Sequence, residues 1–233
     1  MTIKRSEVSQ LLIQILVPVL TWMLFSQVRL GAFFTNHQLS YLLLLALSFS
    51  ALLSQLISGK RKPIIFIAAD TAFLLLCLKG VFSSDSFNSW LLLLDFGLAN
   101  LLILTNIVKE PHCRWIIYGL INGSGIVFLF NITAHHYFSL ESLMSLTLLI
   151  FVNIFFSAPI FMKSGNRLSR LIIMGLILAI CLSLALAPLK ILIIGAILGL
   201  YLFLDWHIKL NKSAQQSNIA IFCLLCFSLT AYL

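Results

Sequence analysis

The sequence predicts an all-α fold, a polytopic transmembrane helical bundle of about nine spans that forms a single integral membrane domain over residues 1–233. Of the 233 residues, 61% are hydrophobic and only 9% are charged, whereas soluble domains carry about a quarter of their residues as charges. The apolar residues form runs long enough to cross a bilayer. Most of the basic residues fall in short segments between these runs, as is usual in membrane proteins.

A helix needs about 20 mostly apolar residues to cross about 30 Å of hydrocarbon, because its backbone groups must be hydrogen-bonded internally. Nine segments approach that length. Only Pro188 and Leu189 separate the seventh segment from the eighth, so eight spans are the alternative. The predicted spans are 10–28, 39–58, 63–82, 89–108, 115–134, 138–161, 171–188, 190–206 and 218–233.

The basic residues also predict the orientation of the chain, because Lys and Arg collect in cytoplasmic loops. With the N-terminus in the cytoplasm and nine spans, the C-terminus lies outside. The outer side keeps Arg29 and Lys190, and Lys79 lies near the outer end of the third span, where its side chain can reach the interface. Twelve of the fifteen basic residues then fall inside, namely Lys4, Arg5, Lys60, Arg61, Lys62, Lys109, Arg114, Lys163, Arg167, Arg170, Lys209 and Lys212.

The short basic loops and the lack of a targeting extension favour a multi-pass protein of a bacterial-type inner (plasma) membrane. We expect no nucleic-acid partner despite the net charge of +8, because the basic residues serve as topology signals. The sequence shows no nucleotide loop, HExxH helix or zinc-type cysteine spacing, so we expect no cofactor. The expected partners are membrane lipids, other membrane proteins or a second copy of the chain.

Two glycine pairs indicate helix packing faces. Gly119 and Gly123 in the fifth span, and Gly195 and Gly199 in the eighth, are each spaced four residues apart. Small residues at this spacing let another helix approach closely.

Two carboxylates, Asp70 and Asp95, lie inside apolar runs, where an ionised group is costly and needs a partner, a water-filled cavity or a function. Spans three and four are joined by a short loop, so we expect them to be antiparallel neighbours. Their depths match Lys79 with Asp95, which we predict to be a structural ion pair. Asp70 is level with Asn100, but it lies nine positions from Lys79 and therefore on the opposite side of its helix.

Buried amides extend this polar set. Asn122 lies in the fifth span and Asn153 in the sixth. We predict that Asp70, Asn100, Asn122 and Asn153 line a substrate or ion path. The alternative for each amide is an interhelical hydrogen bond that contributes about 0.6 kcal/mol to stability.

His135, His136 and Glu141 lie within seven residues at the turn between spans five and six. Imidazole and carboxylate groups can bind a divalent metal, so these three are weak candidates for a metal site. An ordinary interfacial loop is the default interpretation, and we expect no metal.

Three functions remain open at this point. The first is a small permease or channel-like protein that moves a small solute or ion through a polar path. The second is a membrane-embedded enzyme acting on a lipid or lipid-linked substrate, with Asp70 or Asp205 as acid or base. The layout of eight or nine short spans in about 230 residues resembles that of the bacterial lysoplasmalogenase-type membrane hydrolases, which implies such an enzyme. The third is a non-catalytic subunit or assembly factor of a larger membrane complex.

Overall fold

The computed structural model describes residues 5–57, 62–81, 90–105, 107–162, 167–207 and 213–233. Within these ranges the chain is helical and contains no strand. A π-helical turn, Cys77–Val81, continues the fourth helix. The helices are α1 Arg5–Phe25, α2 Ala32–Thr35, α3 His37–Ile57, α4 Pro63–Leu76, α5 Trp90–Leu104, α6 Pro111–Ile121, α7 Ser124–His135, α8 Leu140–Phe161, α9 Arg167–Ser183, α10 Pro188–His207 and α11 Ser213–Tyr232.

Several of these helices start at local sequence signals. Pro63, Pro111 and Pro188 are the first residues of α4, α6 and α10. A proline at this position loses no hydrogen bond, because the first N–H groups of a helix have no partner within it. The N-cap of α8 is Ser139, whose hydroxyl accepts a hydrogen bond from the backbone N–H of Ser142 at 3.0 Å. Such a cap satisfies one of the free donors of the first turn.

Helices lie at all nine predicted positions in the described part of the chain. Four stretches in this part are long and apolar enough to cross a membrane, namely His37–Ile57, Pro111–His135, Leu140–Phe161 and Pro188–Trp206. Shorter apolar helices occupy Ser9–Phe25, Trp90–Leu104 and Ser217–Tyr232. Six of the basic residues that predict the orientation lie outside the described residues, namely Lys4, Lys60, Arg61, Lys163, Lys209 and Lys212.

The fifth predicted span, 115–134, is not one helix. It is interrupted at Asn122 and Gly123, which separate α6 from α7. Gly123 has a φ of 93°, in the left-handed region that glycine adopts at little cost. The expectation of a continuous helix is therefore wrong at these two residues, although the whole stretch Pro111–His135 stays apolar.

The long helix α8 lies at the centre of the bundle, where it packs against α6, α7, α9 and α11. In contrast, α4 packs mainly on α3, and its residues Ile64, Ile67 and Leu75 are exposed. Large apolar side chains are exposed on other helices as well, including Leu140 and Leu192. So many exposed large apolar side chains suit contact with lipid and are unfavourable in water.

The two glycine pairs differ in their surroundings. Gly119 on α6 faces α8 so closely that a Cβ atom there would lie 3.1 Å from the Cα atom of Ile154. One turn earlier, Trp115 Nε1 donates a hydrogen bond to the Ile154 carbonyl at 2.6 Å. A Cβ atom at Gly195 or Gly199 would meet no described atom within 4 Å. Close helix contact is thus confirmed at Gly119 and not seen at the glycines of α10.

This difference predicts the effect of two matched substitutions. Gly119→Ala forces α6 away from α8, and overpacking of this kind costs about 1–3 kcal/mol. Gly195→Ala adds the same methyl group in open space and removes a flexible residue from a helix, so stability should be unchanged or slightly higher. Thermal unfolding of both variants in detergent measures the difference. Equal unfolding temperatures would contradict the close α6–α8 contact.

Candidate functional site

A buried carboxylate caps the interrupted helix. Asp95 on α5 is only 2% exposed, and its Oδ2 atom accepts hydrogen bonds from Ser124 Oγ at 2.8 Å and from the Gly125 backbone N–H at 2.7 Å. Both donors belong to the first turn of α7. The N-terminus of a helix carries free N–H groups and a partial positive charge, which favour a carboxylate. Asp95 therefore stabilises the inner end of a half-helix that begins inside the bundle.

Glycines allow this close arrangement. A Cβ atom at Gly125 would lie 2.7 Å from the Cα atom of Leu92 and 2.8 Å from Asp95 Oδ2, so any side chain here would push α7 away from α5. A Cβ atom at Gly123 would collide with the indole ring of Trp22, which lies on α1. The break is thus packed tightly on two sides.

These contacts correct the prediction for Lys79. Lys79 and Asp95, which the structure both describes, do not form the expected ion pair. Asp95 turns towards α7, and Lys79 is exposed on the π-helical turn. Matching depth along two helices does not fix which way each side chain points.

The amides of the predicted path form a pair at the same break. Asn122 Nδ2 donates to Asn153 Oδ1 at 3.0 Å, and Asn153 Nδ2 donates to the Asn122 carbonyl oxygen at 2.7 Å. Both residues are buried. The carbonyl group of Asn122 is freed by the helix break, so Asn153 on α8 supplies the partner that the helix no longer provides.

Asp70 and Asn100 form a separate pair. Asn100 Nδ2 donates to Asp70 Oδ1 at 3.0 Å and also to the Phe96 carbonyl at 3.3 Å. Asp70 lies on the peripheral helix α4 and is half-buried. The four residues of the predicted path are therefore joined in two pairs, one at the edge of the bundle and one at the helix break.

The histidine-containing turn shows no site geometry. In the described part of the chain, no group of three or more His, Cys, Asp or Glu side chains is placed to hold a metal ion. The ring of His135 lies 6.2 Å from that of Tyr137, and His136 ends α7 in the left-handed conformation. Glu141 accepts a hydrogen bond from Gln27 Nε2 at 3.3 Å.

Two cavities lie towards opposite ends of α8 and α11. The larger has a volume of about 450 Å³ and is bounded by the end of α1, the start of α8, the turn after α9 and the end of α11. Its walls include Arg29, Glu141 and Tyr232. The smaller has a volume of about 20 Å³, which is enough for about one water molecule. Asn122 and Asn153 line this smaller cavity.

A chain of four aromatic rings connects the walls of the two cavities. Phe156, in the wall of the smaller cavity, contacts Phe227 with ring centroids 6.5 Å apart. Phe227 stacks on Phe25 at 6.4 Å. Phe25 contacts Tyr232 at 4.8 Å, and Tyr232 lies in the wall of the larger cavity. Leu224 in the wall of the smaller cavity and Ala231 in the wall of the larger one are roughly 10 Å apart along α11, at about 1.5 Å per residue.

An ion pair that the sequence did not predict lies near the end of the bundle where the smaller cavity is found. Arg170 on α9 bonds to Asp205 on α10, and their side chains are 3% and 15% exposed. Arg167 lies over the ring of Trp206, 5.3 Å from its centroid. Such a buried pair holds α9 and α10 together, because loss of one partner leaves the other charge uncompensated.

The fold and the site define a class of protein. The chain is all-helical in its described part and has four helical stretches that are long and apolar enough to span a membrane, which indicates a membrane protein. Comparison with models of known families, with characterised proteins and with solved structures finds no match. The inference of function therefore depends on the residues of this chain alone.

The cap at the helix break yields a test of stability. Asp95→Ala leaves the Ser124 hydroxyl and the Gly125 N–H without a partner in an apolar interior, which costs about 1–3 kcal/mol for each group. Ser124→Ala removes only one of these hydrogen bonds, so its effect should be smaller. Thermal unfolding in detergent, followed by tryptophan fluorescence, compares the single variants with the double variant. Strictly additive changes would show that Asp95 and Ser124 do not interact.

Proposed function

We propose that this protein is a small permease that moves a small solute across the membrane between α8 and α11. The arrangement of the two cavities is the observation that supports this function. They lie towards opposite ends of the same two helices, and in this proposal the chain of aromatic rings between their walls is the barrier. Pockets at both ends of one barrier are what a solute needs to enter from one side and leave from the other.

The interrupted helix supports the same proposal. Transporters commonly place their binding sites where a membrane helix is broken near the middle of the bilayer, because the free backbone groups there can contact a solute. Here the break at Asn122 adjoins the smaller cavity. Asp95 already accepts hydrogen bonds from the first turn of α7, so the amides that a solute would meet at the break are those of Asn122 and Asn153 in the cavity wall.

The small volume of the cavity at the break favours a permease over an open channel. The smaller cavity holds about one water molecule, and Phe25, Phe227 and Phe156 are fully or almost fully buried. A solute larger than water therefore passes only if these rings move. Their rearrangement would open one cavity to the other, as alternating access requires.

The route differs from the one the sequence indicated. Asp70 and Asn100 line neither of the two cavities, and α4 packs mainly on α3 at the edge of the bundle. We assign them to the support of α4 against α5. The path residues in this proposal are Asn122 and Asn153.

For the membrane context we propose nine spans in a bacterial inner membrane, with the N-terminus in the cytoplasm and the C-terminus outside. This orientation places the larger cavity, which contains Arg29, on the outer side. It places the smaller cavity and the ion pair between Arg170 and Asp205 on the cytoplasmic side. The expected lipid partners surround the exposed apolar faces of α4 and α10.

A native cysteine tests this orientation. Cys113 near the start of α6 is exposed, whereas Cys77, Cys181 and Cys223 are buried. A membrane-impermeant maleimide should label Cys113 in inside-out vesicles and not in intact spheroplasts. Cys113→Ser is the control, since it should remove most of the labelling. Labelling in spheroplasts that is lost in this variant would place the start of α6 outside and reverse the proposed orientation.

Flux through proteoliposomes tests the permease itself. Wild-type protein should take up at least one solute from a labelled panel of amino acids, sugars and monovalent cations. Asn153→Leu removes two hydrogen bonds and places an apolar group in the smaller cavity, so uptake should fall at least tenfold. Phe227→Ala thins the aromatic barrier, so leak of the same solute should rise.

These opposite changes separate transport from folding, because a merely damaged protein would lose uptake in both variants. Asp70→Asn is the matched control, since it alters a polar pair at the edge of the bundle and should leave uptake nearly unchanged. Unfolding temperatures of all three variants should be recorded alongside. Absence of uptake for every solute in the panel, or equal uptake in wild type and Asn153→Leu, would contradict the proposed route.

A further inference from the structure

The larger cavity has the size and wall chemistry of a ligand site. Its volume of about 450 Å³ falls in the range of about 300–1,000 Å³ that is typical of small-molecule pockets. Such pockets are mostly apolar and carry a few polar groups that orient the ligand. Here the apolar part of the wall includes Leu24, Val28, Leu184 and Leu186.

The polar part of the wall contains one charge of each sign. Arg29 follows α1, and Glu141 lies in the first turn of α8. The two side chains do not pair with each other, and Arg29 forms no ion pair with any residue that the structure describes. Glu141 accepts a hydrogen bond from Gln27, a neutral amide, at 3.3 Å and forms no ion pair with any described residue. Both charges are thus available to a ligand.

Two residues in unusual backbone conformations border the same cavity. Gln27 has a φ of 58°, and Ala185, between the two lining residues Leu184 and Leu186, has a φ of 52°. Side chains other than glycine rarely adopt this region, and such residues are often found where a ligand is held. Here they set the two turns that carry Arg29 and the leucines of the wall.

We infer that the larger cavity binds a zwitterion with an apolar body, whose anionic group contacts Arg29 and whose ammonium group contacts Glu141. This inference rests on the proposed function, for which it names the substrate class. Lys190, whose Nζ atom lies 3.5 Å from the carbonyl oxygen of Ala231 in the cavity wall, adds a second positive charge nearby. A free amino acid with an apolar side chain and a zwitterionic lipid headgroup share this chemistry.

Binding of three related probes tests the assignment. The full-length protein is placed in nanodiscs of phosphatidylglycerol, a lipid without an ammonium group, and titrated with L-leucine, N-acetyl-L-leucine and leucinamide. The last two lack the ammonium and the carboxylate, respectively. L-leucine should bind at least about tenfold more tightly than either analogue, because each charge-assisted hydrogen bond contributes that much or more.

Variants link each charge to one end of the ligand. Glu141→Gln should lower the affinity for L-leucine to about that of N-acetyl-L-leucine, and Arg29→Gln to about that of leucinamide. Leu184→Trp fills the cavity without changing its charge and should abolish binding. Glu110→Gln and Lys79→Gln are the matched controls, since they remove exposed charges elsewhere and should leave binding unchanged.

A second arm of the experiment shows whether the ligand is a free solute or a lipid headgroup. In this arm phosphatidylethanolamine is added to the nanodiscs. If this lipid displaces L-leucine, or is retained by wild type and lost in both charge variants, the headgroup is the ligand. If L-leucine binding is unaffected, the free solute is the ligand. Affinity for L-leucine that does not change in Glu141→Gln and Arg29→Gln, or absence of binding for both L-leucine and the lipid, would overturn the inference.

The binding results can be distinguished from the uptake results. Binding that depends on Arg29 and Glu141 without uptake of any solute in the panel would keep the site and remove the permease. Uptake that Asn153→Leu abolishes and that the charge variants leave unchanged would keep the permease and remove this site.

Discussion

The structure depends on how the backbone groups are satisfied where the membrane segment Pro111–His135 is interrupted. Inside a bilayer no water is present to hydrogen-bond free N–H and C=O groups, so a break in a helix is stable only if other parts of the protein supply the partners. Asp95 on α5 supplies the acceptor for the start of α7, and Asn153 on α8 supplies the donor for the Asn122 carbonyl. The break therefore fixes α5 and α8 on either side of it.

The arrangement of the remaining helices follows from this centre. With α8 bound to the break, its other faces are left to α9 and α11. The side chains between α8 and α11 are large aromatic rings near the middle of the bundle and smaller or polar groups towards its ends. The two cavities lie at these ends.

The helical elements of the fold could be predicted from the sequence, because apolar runs reflect a strong and simple constraint. The site was harder to predict. Asn122 and Asn153 are buried, as the apolar runs around them predict. Their mutual hydrogen bonds depend on how each helix is rotated about its axis, which depth does not determine. The predicted pair of Lys79 with Asp95 also depends on depth alone, and depth does not determine which way either side chain points.

A signal for the break is present in the sequence, in the Asn-Gly dipeptide at 122–123, since this pair marks turns even within an apolar run. No comparable signal in the sequence predicts the ion pair between Arg170 and Asp205 or the chain of aromatic rings through Phe227. Both arise from residues that are far apart in the chain.

The cap formed by Asp95 also has a consequence for biosynthesis. The helix that carries this carboxylate, Trp90–Leu104, is made before the residues that hydrogen-bond to it, Ser124 and Gly125. Until those residues arrive, an isolated α5 would hold an aspartate in hydrocarbon, at an insertion cost of about 2.5–3.5 kcal/mol near the middle of a membrane helix. Asp95 therefore makes α5 less stable in the bilayer on its own than after α7 has been made and packed against it.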